Sequence, residues 1–144
     1  MSVASSDPVV KPAVWGTVAF VALAVAGAVG PTAVAVSAAG FDLLLFVLGV
    51  LAFVRTLLTA AQRSREEELS VAGIWFLQGS APVDVQRLLL GALAVQVVVG
   101  IGAAMARPDP LAFGSLVPVF GLGLAGLWAV RSGTFPPRRS TTRR

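Results

Sequence analysis

The chain has 144 residues, of which 56% are hydrophobic and 12% are charged, and its formal net charge is +4. Soluble domains carry about 25% charged residues, and a chain of this size cannot bury so much apolar surface in a water-soluble core. The sequence contains no Cys, His or Tyr, which excludes disulfides, thiolate chemistry and the commonest general base. Composition therefore predicts an all-α integral membrane protein.

Four apolar segments are long enough to cross a bilayer, which takes about 20 helical residues. We predict spans at residues 13–36, 41–61, 88–106 and 111–130, after a cytoplasmic segment at residues 1–12. The first segment also has features of a secretory signal, since Lys11 precedes an apolar run that is followed by "TAVAVSAA". The run is long for a signal, so a span is the favoured interpretation, with Pro31 ending or kinking its far end.

Positive charges favour one orientation of these spans. If the N-terminus is cytoplasmic, ten Lys and Arg residues lie inside and only Arg107 lies outside. The inside residues are Lys11, Arg55, Arg63, Arg65, Arg87, Arg131, Arg138, Arg139, Arg143 and Arg144. The sequence therefore predicts a multi-pass protein of the inner (plasma) membrane. Both termini and the 62–87 loop are predicted to be cytoplasmic, with short outer loops at 37–40 and 107–110.

Two ionisable residues lie in or near the predicted spans. Asp42 falls at the predicted outer start of the second span, where a carboxylate suits the positive end of the helix dipole. A helix cap is the favoured interpretation of Asp42, and a cation or proton site is the alternative. Arg55 lies roughly 9 Å from the predicted inner end of the same span. Its aliphatic stem is long enough to reach the interface.

Gln96 lies in the middle of the third span, and Ala92, Gly100 and Ala104 share its helix face at four-residue steps. Small residues let helices approach closely, and an amide can donate a hydrogen bond across the contact. We predict helix packing at this face, with a solute contact as the alternative. Small residues also occur in the first and fourth spans, where Pro118 interrupts the backbone hydrogen bonds. Spans one, three and four are thus expected inside, and the Leu-rich second span is expected to face lipid or a partner.

The 62–87 loop combines three acids, Glu66, Glu67 and Glu68, with the aromatic pair Trp75 and Phe76. Arg63 can pair with the acids three and four residues later. The segment "VAGIWFLQ" is too short to cross a bilayer, and Trp and Phe favour the headgroup region. The loop therefore predicts a short cytoplasmic helix that lies in the interface or packs under the bundle. Structural packing is favoured, protein docking through these acids and aromatics is the main alternative, and a ligand site is the third.

The C-terminal segment 131–144 is basic and contains Pro136 and Pro137. We predict a disordered cytoplasmic tail that is attracted to anionic lipid. Phosphorylation at Ser140, Thr141 or Thr142 would cancel part of this charge. A basic tail without a basic fold disfavours nucleic-acid binding.

The sequence shows no glycine-rich phosphate loop, zinc-binding pair, paired carboxylates in a span or serine elbow. It therefore predicts no enzyme, no catalytic residue, no metal and no cofactor. Four spans in a short chain are also found in the small multidrug-resistance transporters. Those proteins carry a Glu in the first helix, whereas the first span here contains no acid.

Two strings resemble small conserved membrane proteins of actinobacteria: "RSREEELSVAGIWFLQGSAP" and "RPDPLAFGSLVPVFGLGLAGLWAVRSGTFPPR". The resemblance covers about residues 40–138, and the Ala, Val, Gly and Arg bias is typical of a high-GC genome. It implies four spans in a cell membrane and no established activity.

These observations favour a non-catalytic accessory or scaffold subunit of a larger membrane assembly, with a membrane-protein partner or a second copy of the chain. The alternative is a small oligomeric transporter or channel that uses Gln96, Asp42 or Arg55.

Overall fold

A computed structural model describes residues 6–139 of the protein. The helices are α1 (Val10–Val29), α2 (Thr32–Arg63), α3 (Val71–Trp75), α4 (Val83–Ala106), α5 (Pro108–Leu111), a 3-10 segment (Ala112–Leu116) and α6 (Pro118–Ser132). The four segments Val10–Val29, Thr32–Arg63, Val83–Ala106 and Pro108–Ser132 are long and apolar enough to cross a membrane. The described residues contain no β-strand, only one bridge between Glu67 and Pro137. The all-α prediction is confirmed.

The turn between the first two long helices lies earlier than the predicted loop at 37–40, next to Pro31, which was predicted to end or kink the first span. α1 ends at Val29, and α2 begins at Thr32, directly after Gly30 and Pro31. Pro31 has no backbone N–H to continue α1, but its fixed φ suits the residue that begins a helix. Residues 37–40, predicted as an outer loop, therefore belong to α2. The 32 residues of α2 span about 48 Å, more than the hydrocarbon thickness of a bilayer.

The fourth span forms the core of the bundle. In its most apolar window 61% of the residues are buried, compared with 22–28% for the other three spans. Spans one and three are thus no more buried than span two, contrary to the expectation that these two spans lie inside with span four. Glycines of α6 leave room for neighbours on more than one side: Gly123 contacts the Gly49 carbonyl of α2, and Gly121 contacts Gln96 of α4.

The second span combines a close packing face with an exposed apolar face. Gly49 and Ala52 are buried against α6. Its exposed apolar residues include Leu43, Leu44, Val47, Leu48, Leu51 and Leu58. This exposed face agrees with the expectation for the second span, while the Gly49 face was not foreseen.

Arg107 caps the C-terminal end of α1. Its Nη1 donates to the carbonyl oxygens of Gly27 and Gly30, each at 3.0 Å, and its Nη2 donates to Thr32 Oγ1 at 2.9 Å. A cation is favourable beside the free carbonyls at a helix C-terminus. We call this end of the bundle the turn end, and the opposite end, which carries residues 64–82, the loop end.

The chain after α6 crosses the loop end as an ordered segment, residues 133–139, which we call the strap. Pro136 O accepts from Glu68 N at 2.9 Å, and Arg138 N donates to Glu66 O at 2.9 Å. The predicted disorder is therefore wrong for residues 131–139, because backbone hydrogen bonds hold the strap to the loop. The predicted phosphorylation sites at Ser140, Thr141 and Thr142 lie outside the described residues, as do Arg143 and Arg144.

Candidate functional site

Gln96 connects three helices by hydrogen bonds in the centre of the bundle. Its side chain is fully buried. Nε2 donates to Thr17 Oγ1 of α1 at 2.7 Å, and Oε1 accepts from Gly121 N of α6 at 3.1 Å. The carbonyl of Val117, the usual acceptor for Gly121 N in an α-helix, receives the N–H of Phe120 at 2.8 Å. Gln96 thus satisfies a backbone donor at the start of α6.

The predicted small-residue face around Gln96 has three different environments. Gly100 contacts the backbone of Gly114, so that a Cβ at Gly100 would meet the Gly114 carbonyl oxygen. Ala104 is half-buried. Ala92 lines an apolar groove between α1 and α4. Only Gly100 of the three therefore allows a backbone-to-backbone contact.

Asp42 is an interior residue of α2 and not its cap. It lies ten residues after Thr32, about 15 Å along the helix, and only 2% of it is exposed. The cap interpretation is wrong because the helix begins before the predicted boundary. A Cβ on Gly114 would lie 3.4 Å from Asp42 Oδ2, 3.5 Å from the ring of Phe20 and 3.6 Å from Gly100 Cα. These groups therefore surround Gly114.

The carboxyl group of Asp42 has no hydrogen-bond or ion-pair partner among residues 6–139. Of the described Asp, Glu, Lys and Arg residues, it alone is buried. Its layer lies one helical turn from the Gln96 layer, since Gly100 follows Gln96 by four residues and Phe20 follows Thr17 by three. An unpaired carboxylate in an apolar interior is costly, which makes this position unusual.

Arg55 is exposed on α2. It lies eight residues, about 12 Å, from the end of α2 at Arg63. Its side chain has no polar partner among the described residues. The structure does not bring it near Asp42, on the same helix but 13 positions earlier, or near Gln96.

Trp75 of α3 packs beneath the long helices. Its ring stacks on Phe53 of α2, with centroids 4.5 Å apart and planes inclined by 15°, and it contacts the α-carbon face of Gly126 in α6. The next residue, Phe76, is 50% exposed. The predicted aromatic pair thus divides into one packing residue and one surface residue.

Arg63 joins the loop, the strap and α6. Its guanidinium donates to Val130 O at 2.9 Å and to Gly133 O at 3.2 Å. It also forms an ion pair with Glu67 at 2.5 Å and lies 5.2 Å from the centre of the Phe135 ring. The predicted pairing of residues 63 and 67 is confirmed. Glu66 and Glu68 are exposed.

Short-range hydrogen bonds fix the remainder of the loop. Ser70 caps α3 by accepting from Gly73 N at 2.9 Å, and Ser80 Oγ donates to Gly73 O at 2.6 Å. Leu77 is fully buried in a left-handed conformation, with φ of 58°. Because residues 64–80 and the strap are held together in this way, we call them jointly the platform.

One polar pair, which the sequence did not predict, joins the N-terminal segment to α6. Asp7 Oδ1 accepts from Val9 N at 2.8 Å, and Asp7 Oδ2 accepts from Trp128 Nε1 at 2.9 Å. An Asp ahead of an apolar run is a capping signal, but its contact with Trp128 joins residues 121 positions apart.

No protein-family description, curated protein or solved structure matches the chain. Among the described residues, no group of three or more His, Cys, Asp or Glu side chains could hold a metal ion.

Proposed function

We propose that the protein is a multi-pass protein of the inner (plasma) membrane, with the loop end in the cytoplasm. Four helices of sufficient length and hydropathy support this location. Arg107 is the only Lys or Arg at the turn end of the described chain, which is the asymmetry that the positive-inside rule associates with an outer face. The resemblance to small actinobacterial membrane proteins agrees with this proposal and stays a prediction.

Cysteine labelling tests the orientation, because a single introduced Cys is the only thiol in the chain. Ser64 is exposed at the loop end and Asp109 at the turn end. We expect a membrane-impermeant maleimide to label Asp109→Cys in intact cells, and to label Ser64→Cys only after permeabilisation. The reverse pattern would invert the orientation, and labelling of both in intact cells would contradict a spanning bundle.

Within that membrane, we propose a non-catalytic accessory subunit that docks a protein partner on the platform. The observation that carries this proposal is the ordered presentation of Phe76, with the acidic Glu66 and Glu68 exposed on the same loop. A loop that only connects two spans has no need of a half-buried Trp75 stacked on Phe53, a capped short helix and a strap. An aromatic side chain held on a rigid surface is typical of binding hot spots.

Phe76→Ala tests the docking surface. We expect tagged wild-type protein, purified in mild detergent at native expression, to retain a stoichiometric membrane partner, and Phe76→Ala to retain at least tenfold less. Phe113→Ala is the matched control, since Phe113 is 43% exposed on the 3-10 segment. Trp75→Ala is not used in this test because Trp75 packs on Phe53 and Gly126, and its loss would also disturb the fold.

Two outcomes would contradict an accessory role. One is recovery of the wild-type protein alone or only as a homo-oligomer. The other is equal loss of the partner in Phe76→Ala and Phe113→Ala, which would indicate general destabilisation rather than a docking surface.

A small transporter is the second proposed function, and Asp42 is the observation that favours it. Buried ionisable residues inside spans commonly belong to ion or proton pathways, and Asp42 lies beside the 3-10 segment that interrupts the fourth span. Interrupted helices often form transport sites. We expect Asp42→Asn to abolish cation-driven or proton-driven solute flux in proteoliposomes, and Asp109→Asn, at an exposed acid, to preserve it. Equal flux in both variants would exclude Asp42 from transport.

A further inference from the structure

We infer that the crevice between α1 and α4 is a binding site for one anionic phospholipid of the leaflet at the loop end. This inference rests on the proposed membrane location but is independent of the accessory role. The crevice contains a partly open groove of about 570 Å³. A second cavity of about 250 Å³ continues it towards the loop end, and a third of about 240 Å³ continues it towards the turn end.

The walls of the groove are suited to an acyl chain. They are formed by aliphatic side chains of both helices, such as Val14, Val18 and Leu88, and the space between them exists because Gly91 and Ala92 are small. A Cβ at Gly91 would have no neighbour within 4 Å. No side chain of the described chain therefore fills the space beside Gly91. The groove is lined by residues of α1 and α4 over more than two helical turns of each helix.

Both helices place a cation at the same end of this groove. Arg87 of α4 lines the main groove, and Lys11 of α1 lines the adjoining cavity. The two cavities share Val14 and Leu88, so the two cations flank one entrance. Both side chains are exposed and neither has a polar partner among the described residues.

Neither neighbouring acid forms an ion pair with these two cations in the described chain. Asp7, four residues before Lys11, accepts hydrogen bonds from Val9 N and Trp128 Nε1. Asp84, three residues before Arg87, is exposed and forms no ion pair with it. Two cations without an ion-pair partner at the end of an apolar groove can attract the phosphate group of a lipid whose acyl chain lies in the groove.

Trp15 completes the entrance. It lines the cavity that contains Lys11, and 69% of it is exposed. Indole rings favour the headgroup level of a bilayer. The entrance thus combines an aromatic ring at headgroup level, two cations and an apolar groove. These features are complementary to a phospholipid with a negatively charged headgroup. An apolar partner helix without an acidic residue would fill the groove but would leave the two cations without a counter-charge.

Native mass spectrometry of the purified full chain tests the site. The probes are phosphatidylglycerol and phosphatidylcholine of equal chain length, each added stepwise to delipidated protein in detergent. We expect one phosphatidylglycerol to bind at least tenfold more tightly than phosphatidylcholine. We expect Lys11→Gln/Arg87→Gln to remove this preference, and Gly91→Leu, which fills the groove, to weaken binding of both lipids.

Two matched controls make the result specific. Arg65→Gln/Arg131→Gln removes two exposed cations of the loop end outside the groove, and Gly40→Leu adds the same side chain at an open position of α2. We expect both control variants to bind phosphatidylglycerol as the wild type does.

Equal binding of the two lipids, or equal loss in the control and groove variants, would overturn the inference. Retention of a protein in the groove, lost in Gly91→Leu, would also overturn it in favour of a partner helix. Failure of all variants to partition into membranes would instead overturn the proposed location.

Discussion

Gly49→Ala is expected to destabilise the bundle by about 3 kcal/mol, although it adds only one methyl group. A Cβ at Gly49 would lie 2.5 Å from Phe120 N and 2.6 Å from Phe120 Cα. These are backbone atoms of α6, so no rotamer change can relieve the contact, and α2 must move away from the most buried helix. Because Gly123 contacts Gly49 O, the same movement opens the neighbouring contact.

Gly40→Ala is the matched control on the same helix. A Cβ at Gly40 would have no neighbour within 4 Å, and the residue is exposed. Replacing Gly by Ala at an open helical position ordinarily stabilises a helix by about 0.5–1 kcal/mol. We therefore expect opposite signs from the same substitution, measured as the midpoint of SDS-induced loss of helical circular dichroism in micelles. A Gly49→Ala midpoint at or above the wild-type value would contradict the close packing of α2 and α6.

The sequence predicts the number of long helices well because span length and hydropathy are local properties. It predicts the first turn poorly because apolar residues continue on both sides of Pro31, and hydropathy does not distinguish a span from a turn made of small residues. The error moves Asp42 from a helix end to an interior position. A shift of nine residues in one boundary therefore changes the interpretation of a candidate site residue.

The packing faces were predictable only where a polar residue marks them. Gln96 stands out in an apolar span, and its predicted face does meet other helices. Gly49 stands among Leu and Val residues that face outwards, and no sequence signal identifies the helix that approaches it. The strap was missed because its hydrogen bonds join residues 66 and 68 to residues 138 and 136, and such distant pairing has no local signature.

Arg63→Met is expected to lower the free energy of unfolding by about 2–4 kcal/mol. The substitution keeps most of the aliphatic stem but leaves the carbonyls at the end of α6 and the Glu67 carboxylate without their cation. Breaking a buried ion pair costs about 3–5 kcal/mol; we expect less here because the two side chains are 24% and 29% exposed. Limited trypsin digestion should cleave the strap at Arg138 faster than in the wild type, since Arg63 also contacts Phe135.

Adding Glu67→Gln to Arg63→Met separates two causes of the lost stability: the unpaired Glu67 carboxylate and the uncapped carbonyls at the end of α6. Glu67 Oε2 is buried, and Arg63 is its only charged partner among the described residues. If the unpaired carboxylate causes much of the loss, Arg63→Met/Glu67→Gln should recover roughly 1 kcal/mol relative to Arg63→Met. Arg65→Met, at an exposed Arg without a polar side-chain partner in the described chain, should change stability by less than about 0.5 kcal/mol. If the double variant is no more stable than Arg63→Met, Arg63 acts by capping α6 and holding the strap. The platform would then depend on those carbonyl contacts rather than on the ion pair with Glu67.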